Sequence, residues 1–165
     1  MADSSSLCLP CGLCCNGVLF DHVDVMADEI PVATARGLCL YEQDKRVSFK
    51  LPCACYVDSA CSIYGDRPFT CCAFQCALLR QLRNGAMDLQ ACLTIVHRAR
   101  ELIRTIQEET GASDSRKRIW DVLPGTSPES GVPHSLEEIE RNQKVAQDLA
   151  ALRQLCDQYF LNPGE

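Results

Sequence analysis

One stretch dominates this chain: Cys8-Leu9-Pro10-Cys11-Gly12-Leu13-Cys14-Cys15. A second answers it, with cysteines at 53, 55, 61, 71, 72 and 76. Eleven of the 13 cysteines lie at or before Cys76, and only Cys92 and Cys156 follow. A thiolate is a soft anionic ligand suited to Zn²⁺, Fe–S clusters or Cu(I). The two-residue gaps Cys8-x2-Cys11 and Cys11-x2-Cys14 let a tight turn aim two sulfurs at one ion. Gly12 supplies the backbone freedom such a turn needs. Adjacent cysteines such as Cys14 and Cys15 diverge, so they serve two ions or one of them is spare.

Compartment decides between metal ligation and disulfides. The first six residues, Met1 to Ser6, carry no cationic or apolar leader, so no signal peptide is expected. No apolar run reaches the ~18 residues of a membrane span. The expected location is therefore cytoplasmic, where thiols stay reduced. An odd cysteine count also leaves at least one thiol free in any intramolecular pairing. A net charge of −6 disfavours a broad nucleic-acid face. The one basic cluster, Arg116-Lys117-Arg118, reads as a solvated turn. Ten aromatic residues among 165 imply a thin apolar core in the first half, which metal–thiolate bonds would reinforce.

In chain order, Asn16-Gly17 is a turn, and 18–25 reads as a strand with Leu19, Val23 and Val25 on one face. His22, on the other face, reads as an ordinary strand residue rather than a ligand. Asp28 is expected to cap a short helix through Arg36, stopped by Gly37. Residues 38–41 and 46–51 read as a hairpin turning over 42–45, with Cys39 as a small buried residue. Asp58-Ser59-Ala60 is a turn. Pro68 opens a helix running to Arg83 and ending at Asn84-Gly85. In a regular helix Cys72 and Cys76, at i and i+4, would share a face.

Residues 87–110 form an amphipathic helix with Cys92 in its apolar stripe and Gly111 as its cap. Residues 112–134 are linker-like, with Ile119-Trp120 as the apolar anchor. Ser135 to Glu138 is a capping box opening the last helix. Leu136, Ile139, Val145, Leu149, Leu152, Cys156 and Tyr159 should make its buried face, and Asn162-Pro163-Gly164 ends it. The two long helices should pack as an antiparallel pair; their apolar stripe is otherwise a surface for a protein partner. The expected fold class is α+β, mainly α: a small cysteine-rich lobe with short strands, packed with two or three helices. The expected division is a cysteine-cluster domain over 1–85 and a helical region over 86–165.

The cysteine pattern resembles that of the YkgJ-type family, a zinc- or iron-chelating cysteine-cluster domain. The opening Cys-x2-Cys-x2-Cys-Cys carries part of the resemblance. So do Ala54-Cys55-Tyr56-Val57-Asp58 and Cys61-Ser62-Ile63-Tyr64-Gly65-Asp66-Arg67-Pro68, followed by Cys71 and Phe74-Gln75-Cys76. It covers roughly residues 8–80, about half the chain by the domain-scale reckoning of length. It implies eight metal ligands: Cys8, Cys11, Cys14, Cys15, Cys55, Cys61, Cys71 and Cys76. The chain departs from the family pattern with Cys72 in place of Arg, Gln75 in place of Pro, and Cys53 as an extra cysteine. Cys53, Cys72 or His22 could each substitute for a member of the set. Arg67 could donate to a cysteine sulfur or a carbonyl, or form a surface ion pair.

The function so implied is metal binding, with two zinc ions in two tetrahedral Cys₄ sites or iron, including an Fe–S cluster. Each Cys₄ zinc site carries a formal −2 charge and calls for nearby N–H donors. The alternatives are an Fe–S redox enzyme or one related to protein methylases, which some cysteine-cluster proteins are, or a zinc-stabilised interaction module. No glycine-rich cofactor loop and no Ser/His/Asp or Cys/His constellation supports an enzyme, so no catalytic residue is assigned. The expected partners are metal ions, with neither nucleic acid nor membrane.

Overall fold

In a computed structural model the described residues are 4–111, 119–122 and 135–161. They form an α+β fold, mainly α. The chain opens with a short helix, α1 (Ser5–Cys11), where the sequence suggested only a turn. Pro10 lies inside it, and Gly12 ends it in the left-handed region at φ 67°, its N–H bonding to the Cys8 carbonyl. Pro10 and the following glycine hid this helix. One helical turn places Cys8 and Cys11 on one face, as the i, i+3 relation requires.

A three-stranded antiparallel sheet follows, in the order β1 (His22–Val25), β3 (Arg46–Lys50), β2 (Leu40–Gln43). Its register pairs Val25 with Val47 and Leu40 with Phe49. The hairpin is tighter than its sequence suggested. β2 runs through Gln43, and only Asp44 and Lys45 turn, both at positive φ. Consecutive left-handed residues match the twist of the flanking strands. β1 is shorter than the expected 18–25: Leu19 packs on one apolar cluster, while Phe20 and Val23 pack on another. Cys39 is exposed rather than buried. Leu38 takes the inward position beside it, and alternation turns Cys39 out. Between β1 and β2, the Asp28 region forms a 3₁₀ turn (Ala27–Glu29) leading into α2 (Ile30–Ala35). Asp28 lies within that turn and is not the cap; Glu29 Oε2 accepts from the Met26 N–H instead.

A two-residue hairpin, β4 (Tyr56–Val57) and β5 (Ala60–Cys61), turns at Asp58-Ser59, again both at positive φ. The single helix expected over 68–83 is two: α3 (Phe69–Ala73) and α4 (Ala77–Arg83). The chain is extended at Phe74 and Cys76, and the Cys76 sulfur accepts the Leu79 N–H at 3.3 Å. The break cancels the i, i+4 relation of Cys72 and Cys76.

The long helices are α5 (Leu89–Thr110), capped by Asp88 accepting from the Ala91 N–H at 2.7 Å, and α6 (Leu136–Tyr159). They pack on each other. Lys144, early in α6, pairs with Glu109 at the end of α5, as antiparallel packing requires. Val145, Leu149, Leu152, Cys156 and Phe160 are buried, but Leu136 is 78% and Ile139 39% exposed, contrary to the expected stripe. Since Lys144 already meets the last turn of α5, the two turns of α6 before it overhang that end. The Glu138 side chain of the expected capping box and the stop at 162–164 lie outside the described residues. So does most of the linker, but its anchor holds: Ile119 is buried and Trp120 Nε1 donates to the Val18 carbonyl at 2.8 Å. No described helix is long and apolar enough to cross a membrane.

The buried residues form two clusters. The larger gathers Leu7, Leu13 and Val18 from the front of the chain with α4, α5 and α6, so the two halves share a core. The smaller joins Val25, Ala33, Leu38, Phe49, Leu51 and Cys55.

Candidate metal centre

Between the two clusters lies a cavity of about 130 Å³. Nine cysteines line it: Cys8, Cys11, Cys14, Cys15, Cys53, Cys61, Cys71, Cys72 and Cys76. Seven of the eight residues implied by the family resemblance are among them. The exception is Cys55, which is 5% exposed and donates its S–H to the Arg36 carbonyl at 3.3 Å. Cys53, two residues earlier, takes the place on the cavity wall. Cys53-Ala54-Cys55 runs into a turn rather than a strand, so its two sulfurs part: Cys53 lines the cavity and Cys55 is buried in the smaller core. Sequence spacing offers both cysteines equally. His22 is away from the cavity, exposed on β1, with Nδ1 2.6 Å from Asp21. Cys92 and Cys156 are buried in the larger core.

The cysteines differ in what holds them. Cys8 and Cys11 come from α1, Cys14 and Cys15 from the turns after Gly12, and Cys61 from β5. The backbone ties the stretches together, with the Cys53 N–H donating to the Cys15 carbonyl at 2.8 Å. The Cys76 sulfur accepts the Leu79 N–H, and the backbone N–H groups of Leu13, Cys55 and Ile63 lie beside the sulfurs of Cys11, Cys53 and Cys61 and draw their titration down. Such bonds stabilise a thiolate and are weak for a neutral thiol. Arg67 stacks its guanidinium 3.7 Å from the Tyr64 ring centre and donates from Nε to the exposed Cys72 sulfur at 3.2 Å. That is the sulfur bond the sequence raised as one option for Arg67.

Burial pushes most of these thiols up. Cys11 and Cys71 rise to about 12 and Cys53 to about 11; Cys14 is also raised, first by desolvation and then by the neighbouring sulfurs Cys11, Cys76 and Cys8. The Cys15 and Cys61 thiols lie side by side, and their interaction drives the two apart in acidity. Cys61 gives its proton up early, at about 6, and Cys15 is held far up. Among the described residues, no three His, Cys, Asp or Glu side chains already stand in a ligating arrangement. The donor chemistry nonetheless fits a soft cation: sulfurs from both stretches on one wall, N–H donors at four of them, and apolar surroundings.

Two expectations follow from this geometry. A Cβ at Gly12 would meet Tyr56 Oη at 2.3 Å and Cε2 at 2.7 Å, on a backbone at φ 67°. At Gly85, φ 77°, nothing lies within 4 Å. Gly85→Ala should therefore cost only the left-handed conformation, about 1 kcal/mol, and Gly12→Ala about 2 kcal/mol or more. Urea midpoints compare them; equal losses would contradict the Tyr56 contact.

The second concerns pH. Cys11 and Cys71 titrate higher in the fold than the 9.0 of an ordinary thiol. Their contribution is complete below pH 9 and lost as pH rises toward 12. In chelator-treated protein, stability should drop by at least about 2 kcal/mol between pH 8.5 and pH 11.5, after allowance for partial exposure. Cys11→Ala should flatten part of that slope. A stability that holds or rises over this range would contradict the burial of these thiols.

These features define a small α+β protein, mainly helical, with a cysteine-lined cavity. No family model matches the chain, and no curated protein or solved structure matches it.

Proposed function

We propose that this is a metal-binding protein of the cytoplasm that chelates zinc or iron through its cysteine cluster. One observation carries the reading. Cysteines as far apart in sequence as Cys8 and Cys76 line the same cavity, with no role there as apolar filler that Val or Leu would not perform better. The thiolate chemistry supports it: a reduced, half-buried cluster of soft donors is stabilised by losing its protons to a cation. The pattern's resemblance to the YkgJ-type chelating domains points the same way.

The test is the metal content of protein purified anaerobically. Colourless protein with zinc supports the zinc form, and brown protein with iron and sulfide supports the Fe–S form. Protein that carries neither and takes up neither from solution would overturn the proposal.

A further inference from the structure

Resting on that reading, we infer that the cavity is a double site for two thiophilic divalent cations of the zinc class. One four-sulfur group is Cys8, Cys11, Cys14 and Cys76; the other is Cys15, Cys53, Cys61 and Cys71. Cys55 belongs to neither, although the family resemblance favours it over Cys53.

Three independent features divide the sulfurs in this way. The first is packing. Cys8, Cys11 and Cys76 pack against the larger apolar cluster, whereas Cys53 and Cys71 pack against the smaller. The second is the chain path. Cys14 follows Cys11 through the Gly12 turn, while Cys15 is joined to the second group by the Cys53 N–H on its carbonyl and lies beside the Cys61 thiol. Adjacent side chains that diverge thus face two centres. The third is the distribution of backbone donors. Each group holds two sulfurs with a backbone N–H beside them, Cys11 and Cys76 in one, Cys53 and Cys61 in the other. A Cys₄ site around a divalent cation bears a formal −2, so donors shared evenly suit two separate sites.

Cys55 is excluded by its own hydrogen bond. Its S–H is a donor to the Arg36 carbonyl, a role a metal-bound thiolate has no proton to fill. Cys72 is left over as the exposed sulfur held by Arg67. Loading each group releases thiol protons to solvent and requires side-chain rotations that bring four sulfurs to a common centre.

The experiment is ¹¹³Cd substitution in wild-type protein prepared anaerobically, with each cadmium resonance correlated through bonds to cysteine β-protons. Two resonances are expected. One should connect to Cys8, Cys11, Cys14 and Cys76 and the other to Cys15, Cys53, Cys61 and Cys71, with no connection to Cys55 or Cys72. A single resonance, a cysteine connected to both cadmiums, or Cys55 in the place of Cys53 would overturn the double site while leaving metal binding intact. Failure to take up any cadmium would overturn the double site, and the proposed function falls with it only where the anaerobic protein also holds neither zinc nor iron.

Discussion

Chelating the bound metal is expected to lower the melting temperature by about 10–20 °C and to release the strands and short helices before the two long ones. The physical basis is the inequality of the two apolar clusters. The larger contains 18 buried residues and spans α4, α5 and α6. The smaller contains six, one of them Cys55, helped by the edge-to-face contact of Phe20 and Phe74 at 4.8 Å. So small a cluster stabilises little by itself, whereas structural zinc sites contribute binding free energies on the order of 10 kcal/mol to folding. Even half of that, about 5 kcal/mol, corresponds to the stated shift for a chain of this size. Amide hydrogen exchange before and after chelation would locate the loss. Protection should fall over 20–76 and persist in the centres of α5 and α6. Unchanged melting and exchange would show that the front of the chain holds together without the metal.

Leu13→Ala is expected to cost about 2–5 kcal/mol, the range for a buried leucine truncated to a cavity. Leu13 is 0% exposed and stands between Cys11 and Cys14. Its side chain belongs to the larger core, its N–H points at the Cys11 sulfur, and its carbonyl accepts the Leu19 N–H at 3.2 Å. The same residue thus pins the cysteine loop to the helices, and its truncation should weaken metal retention as well as folding. Phe69, an aromatic residue in the same half, is 62% exposed. Phe69→Ala should stay within about 0.5 kcal/mol. Urea denaturation of the two loaded variants compares them; similar losses would contradict the role of Leu13.

Much of this architecture was legible in the residues, for reasons that can be named. α5 declared itself by apolar spacing between Asp88 and Gly111, both of which cap it. The β2–β3 hairpin declared itself by alternation around a polar turn, although its boundaries moved by two residues because positive φ at Asp44 and Lys45 allowed the tightest turn. What was hidden depended on contacts distant in sequence. α1 carries a proline and is held from outside, with the Arg100 Nη1 donating to the Pro10 carbonyl at 2.6 Å. The break between α3 and α4 has no glycine or proline to mark it, and Cys76 caps the second helix with a sulfur where Ser, Thr, Asp or Asn would be looked for. The outward turn of Leu136 and Ile139 follows from where α5 stops, which periodicity within α6 cannot report. At the cavity, clustering was visible in the spacing, but the choice between Cys53 and Cys55 was not. It depends on the Arg36 carbonyl, which accepts from the Cys55 thiol.

The central claim is that sulfurs remote in the chain converge on shared cations, and X-ray absorption at the metal edge tests it most directly. The expected shell is four sulfurs at about 2.3 Å per zinc, with no light-atom ligand. A shell of nitrogen or oxygen donors, or protein whose cavity cysteines are joined in disulfides instead, would contradict the account.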